Sequence, residues 1–345
     1  AWDAPPRARH PCPTGCSSWL RFIGNQVPLR PTNRPHGRSP ELRLFRRLQF
    51  GDLADLHVLD TRQYRTDQPA GDGFGSTDPD SLALEEVLGE ALFDADGIQD
   101  PKATLLGARQ EAWLARNLAQ SRARWNILAQ QVMVMPWNLI QSGRANVALD
   151  PSIPPALKAQ LLPLFDQVDD LFNVDAWDGY QAARQRLLGM LERIRPSNPV
   201  ILTGDIHSAW AADLFSDFAD PDNADLLAVE FVATSISSTF LGIDPRLADF
   251  LVRQGLAENS HIRYFNGLFR GYCLCDLDTQ RWETTFRAVG DLKALTDPNP
   301  LALVPYPGTP VATDAVFTVN AGFNASGSGA RMQGSSRLPA TGPLS

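Results

Sequence analysis

The run Pro199-Val-Ile-Leu-Thr-Gly204 offers no polar side that could face water. A strand of five or six apolar residues bounded by proline and glycine must be covered on both faces. That requires layers above and below it, as in sheets whose strands are buried between other elements. Leu226–Thr234 repeats the pattern, and Arg124–Val134 (RWNILAQQVMV) reads as a third buried strand. Between them lie segments of helical period. In 105–123, Leu106, Trp113, Leu114 and Leu118 share one face, while Arg109, Glu111, Arg116 and Arg122 fall elsewhere. Gly179–Ile194 is a second amphipathic helix, stopped by Pro196. Strands alternating with helices in this order predict an α/β layered core.

Other segments fit around that frame. Residues 42–50 alternate loosely and 54–60 (ADLHVLD) follow as a second strand after a Gly51-Asp52 turn. Gly271–Asp276 and Trp282–Val289 read as a hairpin around Asp278-Thr279. Eight prolines among the first 40 residues, with scattered arginines, predict an irregular N-terminal segment over 1–40. A domain follows over 41–320, and the Ser/Gly/Pro-rich stretch over 321–345 reads as a disordered tail.

Net charge decides some function classes. The balance of 31 basic against 39 acidic residues gives −8, with a pI near 5.2. No bulk attraction for nucleic acid or anionic membranes follows from that charge. No apolar run reaches the roughly 20 residues that span a bilayer. Four cysteines occur as Cys12 with Cys16 and Cys273 with Cys275, a spacing that matches none of the common zinc pairings. Cys273 and Cys275 stand two apart on a strand, side by side on one face, and read as ordinary thiols. A Walker loop, a G-x-S-x-G elbow, an H-E-x-x-H motif and a dinucleotide-binding glycine pattern are all missing from the sequence.

The sharpest chemical feature is Gly204-Asp205-Ile206-His207, directly after the apolar strand. Ligands in open α/β sheets bind beyond the carboxyl ends of strands. A glycine there permits a sharp turn, after which Asp205 and His207 could converge on one ion; a loop aspartate beside a surface histidine is the plainer reading. In Asp60-Thr-Arg62-Gln-Tyr64-Arg65, the arginines suit phosphate oxygens, although on spacing alone an Asp60–Arg62 pair with Tyr64 packed beneath is the plainer reading. His57, between Leu56 and Val58, reads as a strand residue. Gln130 and Gln131 close an apolar strand, either as buried hydrogen-bonded amides or with a role at the site. His261 to Gly267 could line a pocket or make a turn.

Together the blocks FGDLADLHVLDTRQYR (50–65), LLGARQEAWL (105–114), WNILAQQVMV (125–134), DAWDGYQAARQRLL (175–188), LTGDIHSAW (202–210), EFVATSISS (230–238) and HIRYFNGLFRGY (261–272) resemble the PhoD-type alkaline phosphatase/phosphodiesterase family of metallophosphoesterases. The resemblance implies a four-layer α/β/β/α sandwich and hydrolysis of phosphomonoesters and phosphodiesters, with small phosphate esters or cell-envelope and lipid phosphodiesters as substrates. It implies iron and calcium as cofactors and a secreted or periplasmic location. By this likeness Asp205 and His207 match the family's metal-binding G-D-x-H segment and carry the catalysis. Gln131 sits at a strand end where related enzymes place a metal ligand, and Arg62 and Tyr64 fall in a block suited to substrate. The family's other ligands belong to blocks upstream. Ala1-Trp2-Asp3 looks like the start of its W-D-D-H-E block, but Ala4-Pro5-Pro6-Arg7 then replaces the continuation. The expectation is an N-terminally incomplete sandwich, with a reading-frame disturbance as one origin. The alternative function is that of a catalytically incompetent fragment or phosphate-binding remnant, which in isolation would self-associate through an exposed strand edge.

Overall fold

The computed structural model of the chain describes residues 43–67, 98–137, 175–238, 261–290, 308–322 and 332–336, with isolated positions at 148, 151, 155, 156, 158, 159, 162, 173, 240, 249, 252, 253, 256, 259 and 260. The chain divides into two compact units at 46/47. Within the first, the guanidinium of Arg43 stands 4.3 Å from the centre of the Phe45 ring, and Arg46 donates to the Leu44 carbonyl at 3.0 Å. Residues 43–46 are the described part of the first unit, and the other described residues belong to the second.

Seven strands form one mixed sheet: β1 (Arg46–Phe50), β2 (Ala54–Val58), β3 (Trp125–Ala129), β4 (Pro199–Thr203), β5 (Ala209–Phe215), β6 (Leu226–Val232) and β7 (Ile262–Asn266), in the order β1-β2-β3-β4-β6-β5-β7. The pairs β2–β3, β3–β4 and β4–β6 are parallel, as double-sided burial requires; β5 runs antiparallel to β6 and β7. A second sheet is antiparallel: β8 (Arg270–Leu277), β9 (Arg281–Val289), β10 (Val311–Asn320) and β11 (Gln333–Ser336), in the order β11-β10-β9-β8.

Each face of the large sheet has its own core. On one side, helices α1 (Gly107–Gln120) and α2 (Gln181–Ile194) lay Leu114, Leu118, Leu187 and Leu191 against Leu128, Ile201 and Trp210. On the other, Trp125, Val229, Phe231 and Tyr264 meet Trp282, Phe286 and Phe317 of the small sheet, with Met332 just ahead of β11. Trp125 and Trp282 lie 5.8 Å apart, and Tyr264 and Phe286 4.7 Å. Each such fully buried ring contributes roughly 2 kcal/mol or more by area alone. Among the described residues the layers are therefore three: helices, large sheet, small sheet. A fourth layer, expected from the sequence, has no described counterpart.

Several expectations hold with trimmed boundaries. The hairpin runs over Arg270–Val289, and Asp278 Oδ1 accepts from the Gln280 and Arg281 N–H groups to close its turn. Helix α2 ends where Arg195 turns left-handed (φ 51°), one residue before Pro196. Cys273 and Cys275 are free thiols packed at the edge of the inter-sheet core, and burial raises both above the ordinary thiol range.

Others need correction. The buried strand expected over 124–134 stops at Ala129, because Gln130 folds its side chain back onto the Val132 carbonyl (2.5 Å) and Thr203 (2.9 Å). His261–Gly267 is not a simple turn: it contains β7, which carries Tyr264 into the inter-sheet core and sets Tyr264 and Asn266 in the wall of a pocket. The disorder expected over 321–345 does not extend to Gln333–Ser336. Met332 is buried between the sheets, and Gly334 lies so close to β10 that a Cβ would come within 2.4 Å of the Val316 carbonyl. The irregular segment expected over 1–40, with Cys12 and Cys16, lies outside the described residues.

Candidate active site

Because β2, β3 and β4 are parallel neighbours, their carboxyl ends emerge at one edge. Val58 pairs with Ala129 and Ala129 with Leu202. Backbone bonds continue past the strands: Leu59 N donates to Ala129 O (2.8 Å), Gln130 N to Leu202 O (3.0 Å) and Gly204 N to Gln131 O (3.2 Å). The three loops that leave there are thus laced together before any side chain acts.

Side-chain amides then fix the loops. Gln110, buried on α1, accepts from the Asp60 N–H (2.8 Å) and returns its own amide N–H to the Asp60 carbonyl (2.9 Å), replacing a strand neighbour that β2 has run out of. Gln131 Oε1 accepts from both the N–H (2.8 Å) and the hydroxyl (2.7 Å) of Thr61, while Nε2 donates to Leu59 O (3.1 Å). The sequence expectation placed Gln131 among the metal ligands. Here its amide oxygen is filled by two donors, so it works as a brace for the loop. Asp60 also turns inward: its carboxylate accepts from the backbone N–H groups of Arg62 (3.0 Å) and Gln63 (2.9 Å) and from the Gln63 amide (2.7 Å). It shapes the loop and does not hold the Arg62 guanidinium. Tyr64 packs against Gly107, whose Cβ would lie 3.4 Å from that of Tyr64, at the start of α1.

The turn after β4 is unusual. Asp205 and His207 both adopt left-handed backbone, at φ 73° and 63°, and Ile206 N donates back to Gly204 O (2.9 Å). Each non-glycine residue in that region costs on the order of 1 kcal/mol or more, and such strain gathers at functional sites. The loop is held from behind: the Thr234 hydroxyl donates to His207 O (3.1 Å), and buried Ser208 accepts from the Trp210 indole (2.7 Å). Both Asp205 and His207 remain exposed.

Arg62 joins these loops. Its guanidinium donates to the Asp205 carboxylate and, at 2.8 Å, to Asp175, which also accepts from Arg65 at 2.5 Å. Burial alone would raise the Asp175 carboxyl, but the hydrogen bonds and charges of Arg62 and then Arg65 outweigh it and hold it below the usual range. Burial likewise opposes the charge on Arg62, and Asp175 followed by Asp205 reverses that and raises its pKa. Asp175 was not among the residues singled out from sequence. The signal was there in Asp175-Ala-Trp-Asp178, two acids three apart ahead of a helix, facing a motif with two arginines.

Beneath the loops runs a buried polar layer. Glu230 accepts from Thr203 Oγ1 (2.6 Å), Val134 N (2.9 Å) and Met135 N (2.8 Å), and burial pushes its carboxyl up. Asp178 accepts from Trp137 N (3.0 Å) and from Arg184. The Trp177 indole donates to Gln130 (3.2 Å), and the Tyr180 hydroxyl to Thr66 O (2.9 Å). The turn carrying Asp175 is thereby fastened to the strand ends carrying Arg62 and Asp205.

Among the described residues no group of three or more His, Cys, Asp and Glu stands together to hold a metal ion. Asp205 and His207 supply two donors, and the carboxylate of the first already faces the Arg62 cation. The described donor set does not fit an iron–calcium cluster.

Comparison with known proteins agrees with the sequence resemblance. The chain is 34% identical over 291 residues to alkaline phosphatase D of Bacillus subtilis (strain 168), a match covering 84% of this chain and 40% of that protein. A solved structure of PhoD superposes with a TM-score of 0.60 at 29% identity, covering 91% of this chain and 47% of that one. The chain therefore spans less than half the length of these relatives. The family model for PhoD-like phosphatases matches residues 20–286, and the chain belongs to that family.

Proposed function

We propose that the chain acts on phosphate esters, hydrolysing phosphomonoesters and phosphodiesters at the carboxyl edge of the large sheet. The observation that carries this reading is the Arg62 guanidinium, aimed at the exposed carboxylate of Asp205 from a loop that three glutamine-anchored strand ends keep in place. A guanidinium fork matches two oxygens of a phosphate as well as it matches a carboxylate. In hydrolysis, water adds to phosphorus and the ester oxygen departs with a proton. Arg62 binds the non-bridging oxygens and offsets charge that grows on them. Asp205 and His207 are this chain's candidates for catalysis and for metal binding, and iron and calcium are the cofactors the family points to. The described donors do not complete a site for such a cluster. Small phosphate esters or envelope and lipid phosphodiesters are the proposed substrates, and a secreted or periplasmic location the proposed setting. No described helix is long and apolar enough to cross a membrane.

A second reading is phosphate binding without turnover. It is favoured by the occupation of Asp205 by Arg62 and by the two-donor set. The deciding experiment is hydrolysis of bis(p-nitrophenyl) phosphate at alkaline pH with calcium and iron, beside Asp205→Asn. Hydrolysis that falls a hundredfold or more in the variant supports the first reading. Undiminished hydrolysis in the variant overturns it, and inactivity of the parent chain with retained phosphate binding leaves the second.

A further inference from the structure

A second cationic pocket lies away from the Arg62 cluster, at the edge strand β8 where the two sheets meet. It is a half-open pocket with a cavity of only about 10 Å³, walled by Arg270, Arg287, Thr234, Asn266 and Asp314 among others. Arg270 is 3% exposed, yet its Nε has no hydrogen-bond partner, and its Nη1 reaches only the Leu268 carbonyl at 3.4 Å. No described carboxylate pairs with it. The one acid among the described residues of the pocket, Asp314, is occupied by the Tyr264 hydroxyl (2.5 Å) and the Asn266 amide (2.6 Å). Arg287 donates to Thr313 Oγ1 (2.6 Å) and adds a second positive charge to the same wall.

A buried guanidinium without a counter-ion is costly, and a buried donor left unmade needs an explanation. Among the described lining residues, two arginines against one aspartate leave one positive charge in excess. From this we propose that the pocket binds a small tetrahedral oxyanion of the phosphate class, with Arg270 as its principal ligand. A cavity of this size excludes nucleotides and other drug-sized ligands, whose sites run from about 300 Å³ upward, and takes about one oxygen of an inorganic ion seated at its open mouth. Position gives the site a consequence. Thr234, in the pocket wall, holds the His207 carbonyl at 3.1 Å, and Gly271 N donates to Ser235 O at 3.2 Å, so an anion on Arg270 would bear on the rear of the loop that carries Asp205 and His207.

The test is thermal unfolding of the whole chain titrated with sodium phosphate, sodium sulfate, or sodium chloride at matched ionic strength. Phosphate and sulfate should raise the midpoint in a saturable way and chloride should not; an equal rise with chloride, or none with phosphate, overturns the proposal. To separate this pocket from the proposed ester site, the titration is repeated in Arg62→Gln/Asp205→Asn. The rise should persist there and disappear when Arg270→Gln is added, with the apparent dissociation constant at least tenfold weaker. Loss of the rise in Arg62→Gln/Asp205→Asn alone would assign the anion to that site and sink the proposal. Should Arg270→Gln not fold, Arg287→Gln, a half-buried substitution, is the second probe: a severalfold weaker constant supports the pocket and an unchanged one contradicts it.

Discussion

The guanidinium of Arg62 donates to the carboxylate of Asp205, 143 residues further along the chain, and with Asp175 it forms the junction of three separate loops. Arg62 and Asp205 are 35% and 48% exposed. Exposed pairs of this kind contribute about 1 kcal/mol or less to stability. Arg62→Lys, which keeps the charge but loses the fork, should therefore shift the melting temperature by a few degrees at most. Phosphate-ester turnover, or phosphate affinity if turnover is absent, should fall about a hundredfold. A large loss of stability with function unchanged would show that the junction is structural.

Acid should unfold this protein earlier than its surface charges suggest. His57 is fully buried with neither ring nitrogen partnered, edge-on to Trp113 at 6.1 Å. Burial lowers its pKa from 6.5 to about 4, with Asp55 pulling the other way, and burial does the same to His261 despite its bond to Pro136 O. An unfolded chain takes up those protons near pH 6.5, whereas the native one resists until about 4. Stability is therefore full above pH 6.5 and falls as pH drops from there to 4, by up to about 3 kcal/mol per histidine. Urea denaturation across that window should show a steep slope that His57→Leu flattens; an equal slope in the variant would refute the assignment.

Glu230 is the acceptor on which the layer under the site converges. Glu230→Ala would strand the Thr203 hydroxyl and the Val134 and Met135 N–H groups in the core, at a cost of about 3 kcal/mol or more. Glu230→Gln keeps one acceptor oxygen but sets an NH2 against donors, and an intermediate loss is expected. Chemical denaturation of the three proteins checks the ranking. Equal stability for parent and Ala variant would mean that water replaces the carboxylate.

The β1 edge invites association. Leu48 and Phe50, 40% and 58% exposed, stand on a strand whose described partner is β2 alone. Open edges with apolar side chains pair with one another. The parent chain should self-associate in size-exclusion chromatography with light scattering, and Leu48→Thr/Phe50→Lys should reduce the apparent mass. A monodisperse parent monomer would contradict this.

What the sequence determined by itself was whatever depends on neighbours along the chain. The double-sided apolar run at 199–204, the helical faces around Leu114 and Leu187, the Gly51 and Asp278 turns and the exposed Gly204-Asp205-Ile206-His207 loop are consequences of local period and turn chemistry. Only the tertiary structure decided the rest. Gln131 offered an amide that could face a ligand or a loop, and the parallel register of β2 and β3 delivered Thr61 to it. Asp175-Ala-Trp-Asp178 showed two acids ahead of a helix, but which of them would meet a cation was decided only when the turn before α2 came to lie against Arg62 and Arg65. Strand β7 was hidden because its five residues sit among turn formers, Asn259-Ser260 before and Asn266-Gly267 at its end, and β11 because the Ser/Gly-rich tail lacks strand character alone; pairing with β5 and β10 fixes both. The physical reason is common to all four cases. Hydrophobic period is written in consecutive residues, but a hydrogen bond or ion pair belongs to whichever groups the topology brings together, and those lie up to 155 residues apart here.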